Sequence, residues 1–439
     1  MKKTIPFRIA IFIIAFLAAE VLCAQEKSSD ISLYTSVDTG LHVIDEDLFI
    51  PVLLEQGFTT GVFDIAVSGP LRFRVKDNRP DDLKVLRDQD WDDPSDWARI
   101  VRKFHFNKTF GWGTVDAFIG ELNGVHVGYQ NVVSHYYNST DMDHYHGGFD
   151  LALDINGDGL EMLLDDVVIP SIIAARVYLA PLGWFSDHAW AKRLEVGMQF
   201  LADRGVDSRT MDIEDTNLVA FGGDIGFAVV DADAIKLTPY LVLAAMDGDA
   251  GFHGGATVHA LFSKEKQMGV RFQTEYRYMG EDYYPALVNP FYDNNRRFFT
   301  TDPATRLTNT FADHLANTAM DASSAHGFMV DLELTLTKVF RFGARYDYQS
   351  RNRPHWILFR MEIAPSQKMS VRAFYGGQDV DGGRHIFSLD SLIGVAYQHQ
   401  IIGPLRAFTE FSRRYRRIDN DTSDFANDYV FGVGLLFQY

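Results

Sequence analysis

Asp154, Asn156 and Asp158 recur at alternate positions in the run DINGDG, followed by Gly159 and, further on, by Asp165. Oxygen ligands at that spacing suit a hard divalent cation. The flanking residues alternate with period two, so the helices that frame such loops are absent, and Asn156-Gly157 signals a two-residue hairpin turn. A tight turn is the expectation and a cation site the weaker alternative. A second group, in HYYNSTDMDHYHGG, gathers His135, Asp141, Asp143, His144 and His146. Imidazole and carboxylate together suit a transition metal, yet no CxxC or HExxH spacing accompanies them, and a solvated loop is expected. Ser134 beside His135 offers a nucleophile next to a base, but strand neighbours point to opposite faces. Nothing else resembles a motif such as GxSxG.

A larger set of charges is spread along the chain. Arg72, Arg74, Arg193, Glu195, Asp224, Arg271, Glu275, Arg277, Asp331, Glu333, Arg341, Arg345, Arg360, Glu362, Arg372, Arg406, Glu410 and Arg414 all stand opposite apolar neighbours. In VRFQTEYRY, Val270, Phe272, Tyr276 and Tyr278 share one face, and Arg271, Gln273, Glu275 and Arg277 share the other. GFMVDLELTLTK, RFGARYDYQ and WILFRMEIA repeat the scheme. This is strand periodicity. The segments run to roughly ten residues, longer than the five or six usual in soluble sheets. Their connections alternate between short turns such as SKEK and APSQ and far longer stretches. A soluble sandwich explains neither feature. A barrel crossing a bilayer explains both, since lipid forbids unpaired backbone and forces the sheet to close.

Composition agrees. Hydrophobic residues make up 46% and charged residues 23%, which excludes a disordered chain, and a formal charge of -18 excludes a nucleic-acid partner. Lys2, Lys3 and Arg8 precede an apolar run from Ile9 to Ala19, so residues 1–24 read as a secretory signal peptide. Cys23, the one cysteine of the 439 residues, lies inside it. The mature chain, 25–439, would therefore carry no thiol and a charge near -20, about two units below the whole chain.

The last segment, DYVFGVGLLFQY, places Tyr429, Phe431, Val433, Leu435, Phe437 and Tyr439 on one face and ends on an aromatic residue. It resembles the terminal strand of bacterial outer-membrane β-barrel proteins, the porin-like superfamily. The resemblance implies a Gram-negative outer-membrane location, contact with outer-membrane lipids and lipopolysaccharide, and recognition of Phe431, Phe437 and Tyr439 by the barrel-assembly machinery.

The expected fold is all-β: a single large antiparallel transmembrane barrel of about 16–20 strands, with 18 as the central value. Strand candidates begin near 47–56 and 62–75 and continue through 99–110, 113–122, 124–133 and 147–155 to 428–439. Residues 77–98 break the alternation. There Asp93 and Pro94 look like a helix start, giving a short helix at the periplasmic rim. Residues 280–325 form the longest connection, an extracellular loop expected to enter the lumen as a constriction and to present Arg296 and Arg297. The expected function is a porin-like channel for passive diffusion of small hydrophilic solutes or ions, with no enzymatic activity and no cofactor. The charges from Arg193 to Glu410 would line its lumen. A plugged barrel serving as a structural or surface-interaction protein is the alternative, and an outer-membrane lipid hydrolase a weaker one.

Overall fold

The computed structural model describes residues 31–438 apart from 45, 79–83, 141–144, 187, 189, 205–217, 247, 264, 266, 281–282, 294–323, 338, 351–354, 367, 379–390 and 418–422. The signal-peptide region, Arg296, Arg297, Asp141, Asp143, His144 and Tyr439 lie outside the described residues.

Period-two alternation has become a closed ring of 20 antiparallel strands. Each strand pairs with its sequence neighbours from Ser32–Ile44 onward, and the final strand, Ser423–Gln438, returns to pair with the first from Tyr34↔Gln438 to Ile44↔Asp428. Leu218–Phe227 and the short Val230–Ala232 both pair with Ile235–Met246 and form one wall strand. The central value of 18 is thus corrected to 20. Ser32–Ile44 is a wall strand that the sequence candidates omit. Conversely, 124–133 is not part of the wall at all. Gly124, Gly128 and Gln130 there have positive φ angles of 71°, 56° and 67°, which no continuous strand accommodates.

One end of the barrel carries tight turns at 60–62, 156–157, 233–234 and 403–404. Asn156 and Gly157 both adopt positive φ, 57° and 101°, the geometry of a type I′ hairpin turn. The other end carries the long connections 77–100, 121–147 and 280–324, along with two two-residue connections, 45–46 and 247–248. The segment 77–98 therefore leaves the same end as 280–325, which corrects its placement at the opposite, periplasmic rim. Its helical parts are short, the 3-10 helices Asp88–Asp90 and Ser95–Ile100. Asp93 Oδ1 accepts from the Ser95 amide (2.9 Å) and Asp96 Oδ2 accepts from the Asp93 amide (3.1 Å), a reciprocal cap at the expected start. Asp96 and Arg99 are buried, so the segment packs into the mouth and not onto a lipid face.

Candidate functional site: a lumen filled on one side

Pairing register assigns each side chain to a face, and the sequence periodicity anticipates that assignment. Phe431, Val433, Leu435 and Phe437 point outward and remain exposed, Phe431 at 55%. Tyr276, Tyr278, Phe328 and Leu243 do the same on other strands. The polar faces point inward. Glu195, Arg271, Glu275, Arg277, Asp331, Glu333, Arg341, Arg345, Arg360, Glu362, Arg372, Arg406 and Glu410 all lie on inward registers, and Arg193 stands just before the strand that carries Glu195. A soluble protein buries its apolar face and wets its polar one. This chain does the opposite, which only a hydrocarbon surround makes stable. The fold is a closed transmembrane β-barrel.

The interior is divided. Toward the long-loop end, the inward positions of the strands from Asp158–Leu164 to Ala325–Leu336 turn apolar: Leu163, Ile172, Ala174, Leu201, Leu218, Ala220, Met246 and Met279. Against them pack Leu122, Val127, Val132, Val133 and Tyr136 of the connection 121–147, with Tyr283, Leu287, Val288 and Tyr292 of the next long connection. The two inserted segments are joined backbone to backbone, Ser134 N–H to Val288 O (2.8 Å) and Val288 N–H to Val132 O (3.1 Å). Of the connection 280–325, the described residues 283–293 thus enter the lumen beside the insert 121–147.

Beneath this apolar seat lies a buried, nearly dry charge network. Arg277 donates to Asp347 (2.7 Å) and to Glu275, and Glu275 also accepts from His253 Nδ1 (2.9 Å) and the Tyr240 hydroxyl (2.8 Å). His253 Nε2 in turn accepts from the inserted Tyr283 hydroxyl (2.7 Å). Arg345 reaches Asp347 (3.0 Å) and the inserted Gln130, whose amide donates to Asp331 (3.2 Å). Glu275, Arg277, Asp331 and Arg345 thus face inward but touch protein, not water. Ser134 spends its hydroxyl on Gln130, and His135, expected in a solvated loop, is buried with its Nε2 accepting from Arg360 (3.1 Å). Asp154 and Asp158 accept from Tyr178 and from Ala180 and Trp184 around their hairpin turn. His146 faces Asp166 (3.3 Å).

The other side is open. Two adjoining cavities, of about 350 and about 840 Å³, run between the insert and the wall strands from Phe340–Gln349 onward to Phe63–Lys76. Glu121 and Ser139 of the insert and Arg102, Arg372, Ala396, Glu410 and Arg414 of the wall strands border both. Charges here are paired yet wet: Arg360 with Glu333 (2.6 Å), Arg102 with Glu121 (3.1 Å) and Arg341 with Glu362 (3.5 Å). Above them Asp90 accepts from Arg72, Arg87 (2.7 Å) and Arg99 (3.1 Å). Burial alone would raise the Asp90 carboxyl, but three guanidinium groups hold it well below its usual range.

Charge is also separated across the barrel. The inward faces of the strands from Gly113–Gly120 to Leu194–Asp203 carry Asp116, Asp150, Asp154, Glu161, Glu195 and Asp203 against Arg176. Ten strands away, those from Phe340–Gln349 to Leu405–Arg417 carry Arg341, Arg345, Arg360, Arg372, Arg406 and Arg414 against Asp347, Glu362 and Glu410. The polar rows were readable from alternation alone. The insert was not, because 121–147 mixes apolar residues with glycine and resembles a strand. The usable signal was elsewhere, in inward-parity positions that become apolar only at one end.

No protein-family model matches the chain, and no curated protein matches it in sequence. Among solved structures it is similar to OccK11 (OpdR) of Pseudomonas aeruginosa, with a TM-score of 0.34 and 7% identity over 93% of this chain and 96% of that one. It is similar to P. aeruginosa OpdK, solved with vanillate, at 0.34 and 9% over 93% and 99%. A mutant Rh. blastica porin gives 0.26 and 11% over 93% and 100%.

Proposed function

We propose that the chain is a passive outer-membrane channel for small hydrophilic solutes and ions, with its path confined to one side of the lumen. One observation carries this reading: charged side chains line cavities beside an insert that is packed against the other side of the lumen. Arg341 keeps 64% and Arg102 48% of its side chain exposed, although both face inward. Charge enclosed in a membrane protein is tolerated when paired or hydrated, and here the buried network is the paired set and the cavity wall the hydrated set. Separated acidic and basic walls impose a transverse field on solutes that cross. The outward aromatic residues of the last strand, Phe431 and Phe437, would be read by the barrel-assembly machinery, and the apolar outer wall would meet lipid and lipopolysaccharide.

The filled side favours a second reading, a plugged barrel with a structural role. Planar-bilayer recording of the refolded protein separates the two. Stable ohmic steps are expected, and silence at verified insertion would favour the plug. As a finer check, Arg360→Glu should shift the reversal potential toward cation preference, because Arg360 borders the larger cavity.

A further inference from the structure

We propose that Arg372 and Glu410 form a two-point site for small zwitterions in the cavity wall, an inference that rests on the channel reading above. Arg372 pairs in register with Ala396, and Ala396 with Glu410, so the three stand in one row across neighbouring strands. The row points inward, and both charged residues are exposed and border both cavities. Neither makes a hydrogen bond or ion pair among the described residues. Their neighbours are engaged: Arg341 holds Glu362, Arg360 holds Glu333, Arg406 holds Asp38, and Arg414 holds Asp428 (3.0 Å).

Two strand spacings, about 10 Å, separate the Arg372 and Glu410 backbones. The residue between them is an alanine, which leaves a recess flanked by opposite charges. A solute carrying an oxyanion and an ammonium group a few bonds apart fills that recess in one orientation. The guanidinium donates to the oxyanion, and the Glu410 carboxylate accepts from the ammonium. A singly charged solute of the same size satisfies one partner and is opposed by the other. Each contact is wet and worth at most about 1 kcal/mol, so the site concentrates a solute without trapping it, as passage requires.

Uptake into proteoliposomes tests this with taurine as the zwitterion, ethanesulfonate as the anion and choline as the cation. Taurine should enter about threefold faster than either, the scale two weak wet contacts allow. Arg372→Gln should abolish the preference for taurine over choline and Glu410→Gln that over ethanesulfonate, while continued uptake of the favoured singly charged solute, choline or ethanesulfonate respectively, shows that the variant barrels are folded and open. Exchanging the charges, Arg372→Glu with Glu410→Arg, should restore the preference. Equal rates in the native protein, or a taurine preference that survives the single substitutions, would overturn the site and leave the channel standing. No uptake of any of the three at verified insertion would overturn both.

Discussion

At the scale of the residue, inward charges fall into two kinds that the sequence cannot distinguish. Arg345 and Arg360 both alternate with apolar neighbours, yet Arg345 is sealed against Gln130 and Asp347 while Arg360 borders water. Their substitutions should therefore differ. Arg345→Met leaves Asp347 and Asp331 buried with less compensation and should cost about 3–5 kcal/mol, seen as a lower urea midpoint in refolding. Arg360→Gln should lower that midpoint less, at a cost of about 1–3 kcal/mol, because Glu333 is wet and only the buried His135 Nε2 loses its donor. Asp96, in the connection 77–100, adds a pH dependence. Burial lifts its carboxyl to about 7, against partial opposition from the Tyr145 amide and Arg99. A carboxyl raised on folding binds more protons folded than unfolded, so its contribution is full below about pH 4 and fades as pH climbs toward 7. Amide exchange across 86–100, corrected for intrinsic rate, should be slower at pH 5 than at pH 8. Asp96→Asn should abolish the difference.

At the scale of the element, the insert 121–147 decides how much of the lumen stays open. Its apex, Val127 to Asn138, seats on apolar inward residues and on the buried network through Gln130. Replacing 127–138 with a short Gly-Ser linker should raise single-channel conductance severalfold and lower stability, since the apolar seat would then face water. Conductance equal to that of the native protein would show that the insert does not narrow the path. The wall strands were legible because burial in lipid demands strict alternation, as in Gly269 to Tyr278. The insert was illegible for the converse reason: a segment surrounded by protein can be apolar on every side, so Val127, Val132 and Val133 follow no period. The short helix at 95–100 was half legible. Its cap chemistry fixed the start, whereas its place at the mouth depends on strand parity along the whole chain.

At the scale of the molecule, closure depends on pairing between the ends of the chain. His42 bonds Asp428 and Arg406 bonds Asp38 across the seam of first and last strands, on the inward side. The ring then sets an acidic wall opposite a basic one, with cavities beside the packed insert that are proposed to form a wet passage. That passage is the central claim, and cysteine accessibility reaches it most directly, because residues 25–439 contain no thiol. Single cysteines at Arg341, facing the cavity, and at Phe431, facing lipid, would be treated with a charged methanethiosulfonate during bilayer recording. A stepwise change in current is expected for Arg341→Cys and none for Phe431→Cys. An unaltered current from conducting Arg341→Cys barrels, with labelling confirmed by mass, would contradict it.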